Sequence, residues 1–146
     1  MTAFKLTHID QRIFHALIVV ALFSLMSCAR KVAFTTSTVV PAAEGSVKIR
    51  KDDNKNYTIE LKVVRLAEPK RLNPPKNTYV VWMETKEKGI INLGRLNTSS
   101  GLFSSTLKSS LTTVTPSKPT AFFITAENDE RIQYPGGQVV LRTRSF

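Results

Sequence analysis

A chain of 146 residues with a single cysteine holds at most one domain and no internal disulfide, so its stability must come from an apolar core. Its 21 Lys and Arg against 11 Asp and Glu give a formal charge of +10, which points toward an anionic partner or surface. Only His8 and His15 and the one thiol, Cys28, are available for transition-metal or His-based catalytic sites.

Met1 to Arg12 is polar, with Lys5 and Arg12 against Asp10, and an apolar run follows from Ile13 to Phe23. The run suits the core of a signal peptide and falls short of the ~20 residues that cross a bilayer as a helix. Leu25-Met26-Ser27-Cys28 resembles the bacterial lipobox: Leu three before the cysteine, a small residue just before it, and the cysteine itself. Met26 departs from the usual middle position. The resemblance implies cleavage before Cys28 and acylation, palmitate included, of the new N-terminus. More than one acyl chain gives stable anchoring, since each buried CH2 adds roughly 0.8 kcal/mol. Residues 1–27 are therefore expected to be a helical lipoprotein signal peptide, with Cys28 as the lipidation site. Ala29 in place of an acidic residue resembles lipoproteins sent to the outer membrane. The expected location is the cell envelope, with the domain facing the periplasm.

Cleavage of residues 1–27 from 146 leaves 119, with 19 Lys and Arg against 10 Asp and Glu, a net +9 and no histidine. Residues 28–45 are expected to be a lipidated tether that merges into a first strand, with Arg30 and Lys31 beside the headgroups. Residues 46–146 are expected to be the folded domain. Val47 and Ile49 alternate with polar residues as a short strand, and Lys51 to Asn56 is a polar turn. Tyr57, Ile59, Leu61 and Val63 then alternate with Thr58, Glu60 and Lys62, the clearest half-buried strand, with a bulge expected at Val63-Val64. Glu68 to Asn77 holds Pro69, Pro74 and Pro75 and is expected to be a long, extended loop. Thr78 to Met83 is apolar on both faces, as befits a central strand. A turn at Lys86–Gly89 leads to a strand from Ile90 to Leu96. Leu102, Phe103, Leu107 and Leu111 are spaced among Ser and Thr, whose hydroxyls would face outward. Thr120 to Ala126 is another strand, Pro135-Gly136-Gly137 a tight turn with glycine at positive φ, and Val139 to Leu141 the last strand. About seven short strands argue an all-β, antiparallel immunoglobulin-like sandwich.

Tyr79-Val-Val-Trp82, Leu93-Gly94, Phe103, Ile124-Thr-Ala-Glu127 and Tyr134-Pro-Gly-Gly137 with Val139-Val140 carry a resemblance to the extracytoplasmic domain of anti-sigma-K factors. The chain also resembles small uncharacterised envelope lipoproteins of Gram-negative bacteria. The resemblance implies an immunoglobulin-like sandwich with Trp82 on its central strand. It does not extend to sigma-factor binding, because twelve residues before the apolar run cannot fold or cover a partner.

Three patterns resemble chemical motifs and reduce to simpler readings. Ser105-Thr-Leu-Lys108 matches S-x-x-K without the K-T-G and S-D-N elements that acyl-transfer enzymes need. Asp52, Asn54 and Asn56 fit the start of a calcium loop, but Tyr57 and Val63 stand where Gly and a bidentate Glu are required. Glu127, Asp129 and Glu130 form the densest acidic cluster and are expected to be a solvated turn. The basic residues remain. Lys70, Arg71 and Lys76 in the proline-rich loop are the candidate polyanion site. Export makes nucleic acid an unsuitable partner and leaves an envelope protein, an anionic glycan or a lipid. No cofactor, metal site or enzymatic activity is expected. The reading is a non-catalytic, lipid-anchored binding or support module; the alternative is a sensory accessory, like the outer half of an anti-sigma factor used alone.

Overall fold

The computed structural model describes His15, residues 29–100 and residues 107–146. Apart from His15, which is helical, the expected signal-peptide helix lies outside the described residues, as do Cys28 and the stretch holding Leu102, Phe103 and Ser105.

The chain forms nine strands: β1 (Arg30–Ala33), β2 (Glu44–Lys51), β3 (Tyr57–Val64), β4 (Thr78–Thr85), β5 (Gly89–Arg95), β6 (Asn97–Ser100), β7 (Leu107–Thr115), β8 (Ala121–Glu127) and β9 (Gln138–Arg142). They make two antiparallel sheets, ordered β1-β2-β3-β7-β6 and β5-β4-β8-β9. This connectivity is that of an immunoglobulin-like sandwich. Nine strands exceed the roughly seven expected, and the four-residue edges β1 and β6 are the shortest of them.

Alternation along β2 and β3 drives Val47, Ile49, Ile59, Leu61 and Val63 to one face of the first sheet. Tyr79, Val81, Met83, Phe122, Ile124 and Ala126 oppose them from the second, and together they form the main core. Val63 and Val64 pair in unbroken register with Ser109 and Lys108, so no bulge occurs there. The register shifts fall instead between Val81 and Trp82 and between Ile124 and Thr125.

The expected tether over 28–45 is largely part of the fold. Arg30–Ala33 pairs with β2. Phe34 bridges to Thr143, and the Ser37 hydroxyl donates to the Val140 carbonyl at 2.6 Å. Residues 34–40 therefore run from the first sheet to the β9 edge of the second, closing one side of the sandwich.

Candidate functional site

β1 enters the sheet at Arg30, so the chain from residue 28 meets the folded domain within two residues, at most about 7 Å. Strand direction fixes which end that is. Arg30 pairs with Ile49 near the β2–β3 hairpin, whereas β3 runs away from that hairpin and ends at Val64. The loop after it, with Lys70, Arg71 and Lys76, is thus at the opposite end of the sandwich from residue 29.

That loop is not extended. Pro69–Arg71 forms one 3-10 turn, closed when the Arg71 and Leu72 amides donate to the Glu68 and Pro69 carbonyls. The Lys76 amide also donates to the Pro69 carbonyl, so the loop doubles back, and the Asn73–Pro74 peptide is cis. Lys70 is exposed and Lys76 half-buried. Arg71 lies 3.7 Å from Glu68 in an exposed ion pair. The three cations therefore share one loop, with one of them facing its own carboxylate.

The other sequence candidates resolve into structural roles. The Asp52 carboxylate accepts the Asn56 amide at 2.7 Å and closes the β2–β3 hairpin over Lys55, which sits at φ +65°. Asp129 accepts from the Arg131 amide and guanidinium, which hold its carboxyl below the usual carboxylate range. Glu130 pairs with Arg95. Glu127 is not solvated: it is 5% exposed. Its Oε1 accepts the Thr125 hydroxyl at 2.6 Å and the amides of Gly136 and Gly137 at 3.1 and 2.9 Å. The three carboxylates thus serve three different partners and do not converge on a common point. Among the described residues no group of three or more His, Cys, Asp or Glu is placed to hold a metal.

Glu127 belongs to an arrangement that sequence reasoning did not anticipate. Trp82 is fully buried on the central strand β4, yet it faces away from the main core. It forms a second apolar cluster with Val80 and Phe123 on the outer face of the four-stranded sheet, where its ring stacks on Phe123 at 6.2 Å between centroids. The β8–β9 loop, residues 128–137, folds back over this face and lays Ile132 on it. Asn92 on β5 holds the loop by donating to the carbonyls of Glu130 and Ile132 at 3.0 and 2.7 Å. Beneath the loop runs a polar chain. The indole Nε1–H donates to Thr125 Oγ1 at 2.8 Å, Thr125 donates to Glu127, and Glu127 receives the two glycine amides. Every buried side-chain polar atom among the described residues has a partner.

Gly136 and Gly137 do not adopt the expected positive φ. Gly137 is needed for a different reason: a Cβ there would sit 1.9 Å from the Ala126 carbonyl oxygen. Only a bare backbone brings its amide within reach of Glu127. Trp82, Thr125, Glu127, Gly136 and Gly137 are therefore physically one network. The signal that could have revealed it was already visible: β4 and β8 are apolar on both faces, and a second apolar face needs a cover.

No protein-family model, no curated protein and no solved structure matches this chain.

Proposed function

We propose that the protein is a non-catalytic module, anchored in the cell envelope through acylated Cys28, that presents the far end of its sandwich to another envelope component. The observation that carries this reading is chain direction. Residue 29 leads directly into β1 at one end, while the loop with Lys70, Arg71 and Lys76 stands at the other. Eight-residue strands separate those ends by roughly 26 Å. An anchored domain would thus hold the loop out from the membrane as a contact surface, as sandwich domains commonly do with loops at one end. Composition supports a non-catalytic role: residues 28–146 contain no histidine, and their one thiol is the acylated group. An outer-membrane location with the domain in the periplasm agrees with Ala29 after the cysteine.

Crosslinking in intact cells, followed by purification of the full-length protein, tests this. Capture of an outer-membrane or wall component, reduced when Lys70, Arg71 and Lys76 are together changed to Gln, supports the reading. Capture of a transmembrane regulator would support the sensory alternative. Equal capture by the triple variant would remove the loop as the contact.

A further inference from the structure

The cations of the folded chain are spread unevenly along its length. The end from which residue 29 emerges carries Arg30, Lys31, Lys51, Lys55, Lys86, Lys88, Lys118 and Arg144, all exposed, against Asp52, Asp53 and Glu87. Eight cations against three carboxylates place +5 of the +9 of residues 28–146 at this one end. None of the eight forms an ion pair within the described residues. The opposite end carries less net charge. Arg65, Arg71, Arg95 and Arg131 pair with Glu44, Glu68, Glu130 and Asp129. With Lys70, Lys76, Lys108 and Glu127 counted, its seven cations face five carboxylates, a net +2.

Aromatic rings sit among the unpaired cations. The Arg30 guanidinium lies 4.5 Å over the Phe146 ring and the Lys51 ammonium 5.8 Å from the Tyr57 ring. A cleft of about 240 Å³ opens between them, lined by Arg30, Ile49, Lys51, Tyr57, Lys118 and Phe146. Cations around a half-apolar floor suit the boundary between headgroups and water. Five chain segments distant in sequence, around residues 30–31, 49–57, 86–88, 118 and 144–146, build this surface.

We propose that this end of the sandwich docks on anionic phospholipid headgroups, as a second membrane contact beside the acyl chains. The proposal rests on the anchored reading for its choice of ligand. With Cys28 in the bilayer, at most about 7 Å of chain holds this end at the surface. That is within the ~8 Å over which charge acts at physiological salt. Anionic lipid is the polyanion this position offers, and each basic residue near such a surface adds attraction. Two contacts, one covalent and one electrostatic, would hold the sandwich upright with its far loop directed outward.

The test uses unacylated residues 29–146, which contain all nine strands and both apolar clusters. Co-sedimentation is measured with phosphatidylcholine vesicles with and without phosphatidylglycerol. The domain should bind only the anionic vesicles, and more weakly as salt rises. Changing Lys51, Lys55, Lys86, Lys88 and Lys118 together to Gln should weaken binding at least about tenfold, with the melting temperature unchanged. The same five changed to Arg should bind like the parent, and Lys70, Arg71 and Lys76 changed to Gln should lose little. No binding to anionic vesicles at low salt overturns the proposal. So does an equal loss in the far-loop variant, or a clear preference for heparin, a soluble acidic polysaccharide, over the vesicles. Failure of the anchored reading shows separately, as absence of fatty-acid label on Cys28 in cells, and leaves vesicle binding by residues 29–146 unaltered.

Discussion

Thr125 joins the two ends of the polar chain beneath the β8–β9 loop, and Thr125→Val is the sharpest test of that chain. The substitution keeps the shape and removes the hydroxyl. It leaves the Trp82 indole N–H, which donated at 2.8 Å, without an acceptor where no water reaches, since both residues are fully buried. An unsatisfied buried donor costs about 1–3 kcal/mol. It also removes the 2.6 Å donor to the Glu127 carboxylate, which keeps its two glycine amides. A hydrogen bond to a charged group contributes about 1.5–3 kcal/mol, and the two losses share one hydroxyl, so about 2–4 kcal/mol is expected for the pair. At about 2.1 cal/mol/K per residue, ~118 residues give an unfolding entropy near ~250 cal/mol/K, so each kcal/mol moves the melting temperature by about 4 °C. Thr125→Val should therefore melt about 8–16 °C below the parent, followed by circular dichroism and by the fluorescence of Trp82, the chain's one tryptophan. Thr125→Ser keeps the hydroxyl and loses a methyl group, about 1 kcal/mol or about 4 °C. If Thr125→Val melts within about 3 °C of the parent, or Thr125→Ser falls as far, the hydroxyl does not connect the two ends.

Gly137→Ala would place a Cβ 1.9 Å from the Ala126 carbonyl oxygen and should destabilise the domain by more than about 3 kcal/mol in urea unfolding. Gly136→Ala, whose nearest neighbour is 4.0 Å away, should stay within about 1 kcal/mol; equal effects would refute the close-approach argument. Burial pushes the Tyr79 phenol up to about 12 from 10.0, so the folded chain keeps a proton that the unfolded chain releases between those values. The contribution of Tyr79 is fully present below pH 10 and declines as pH rises toward 12. Tyr79→Phe loses the 2.9 Å bond to the Ala67 carbonyl, about 1 kcal/mol at neutral pH. Its deficit against the parent should shrink above pH 10, and a deficit constant to pH 11.5 would contradict the assignment.

Period-two alternation made β3 legible because it is half-buried: Ile59, Leu61 and Val63 face the core while Thr58, Glu60 and Lys62 face outward. The same rule left the face of Trp82 open, because Thr78 to Met83 is apolar on both sides. Alternation along β4 puts Tyr79, Val81 and Met83 in the main core and Val80 and Trp82 in a second, outer cluster that the β8–β9 loop covers. Nothing in Asn128 to Gly137 shows a periodic apolar pattern, because that loop covers with backbone, Ile132 and the Asn92 staple. Glu127 looked like a solvated acid for the same reason: its partners are backbone amides, which leave no trace in composition. The proline loop was visible as a loop, yet its fold-back at Lys76 depends on amide pairing that prolines alone do not dictate. The cationic end was legible only in part. Arg30 and Lys31 could be placed beside the headgroups, but Lys51, Lys118 and Phe146 join them only through antiparallel topology.

The central claim is that Cys28 fixes one end of this sandwich to a membrane, and labelling cells with a fatty-acid probe tests it most directly. The full-length chain should incorporate label and mature to an N-terminus at Cys28, whereas Cys28→Ala should remain an unlabelled, uncleaved precursor. Label retained in Cys28→Ala, or a mature chain that begins at another residue, would contradict the account.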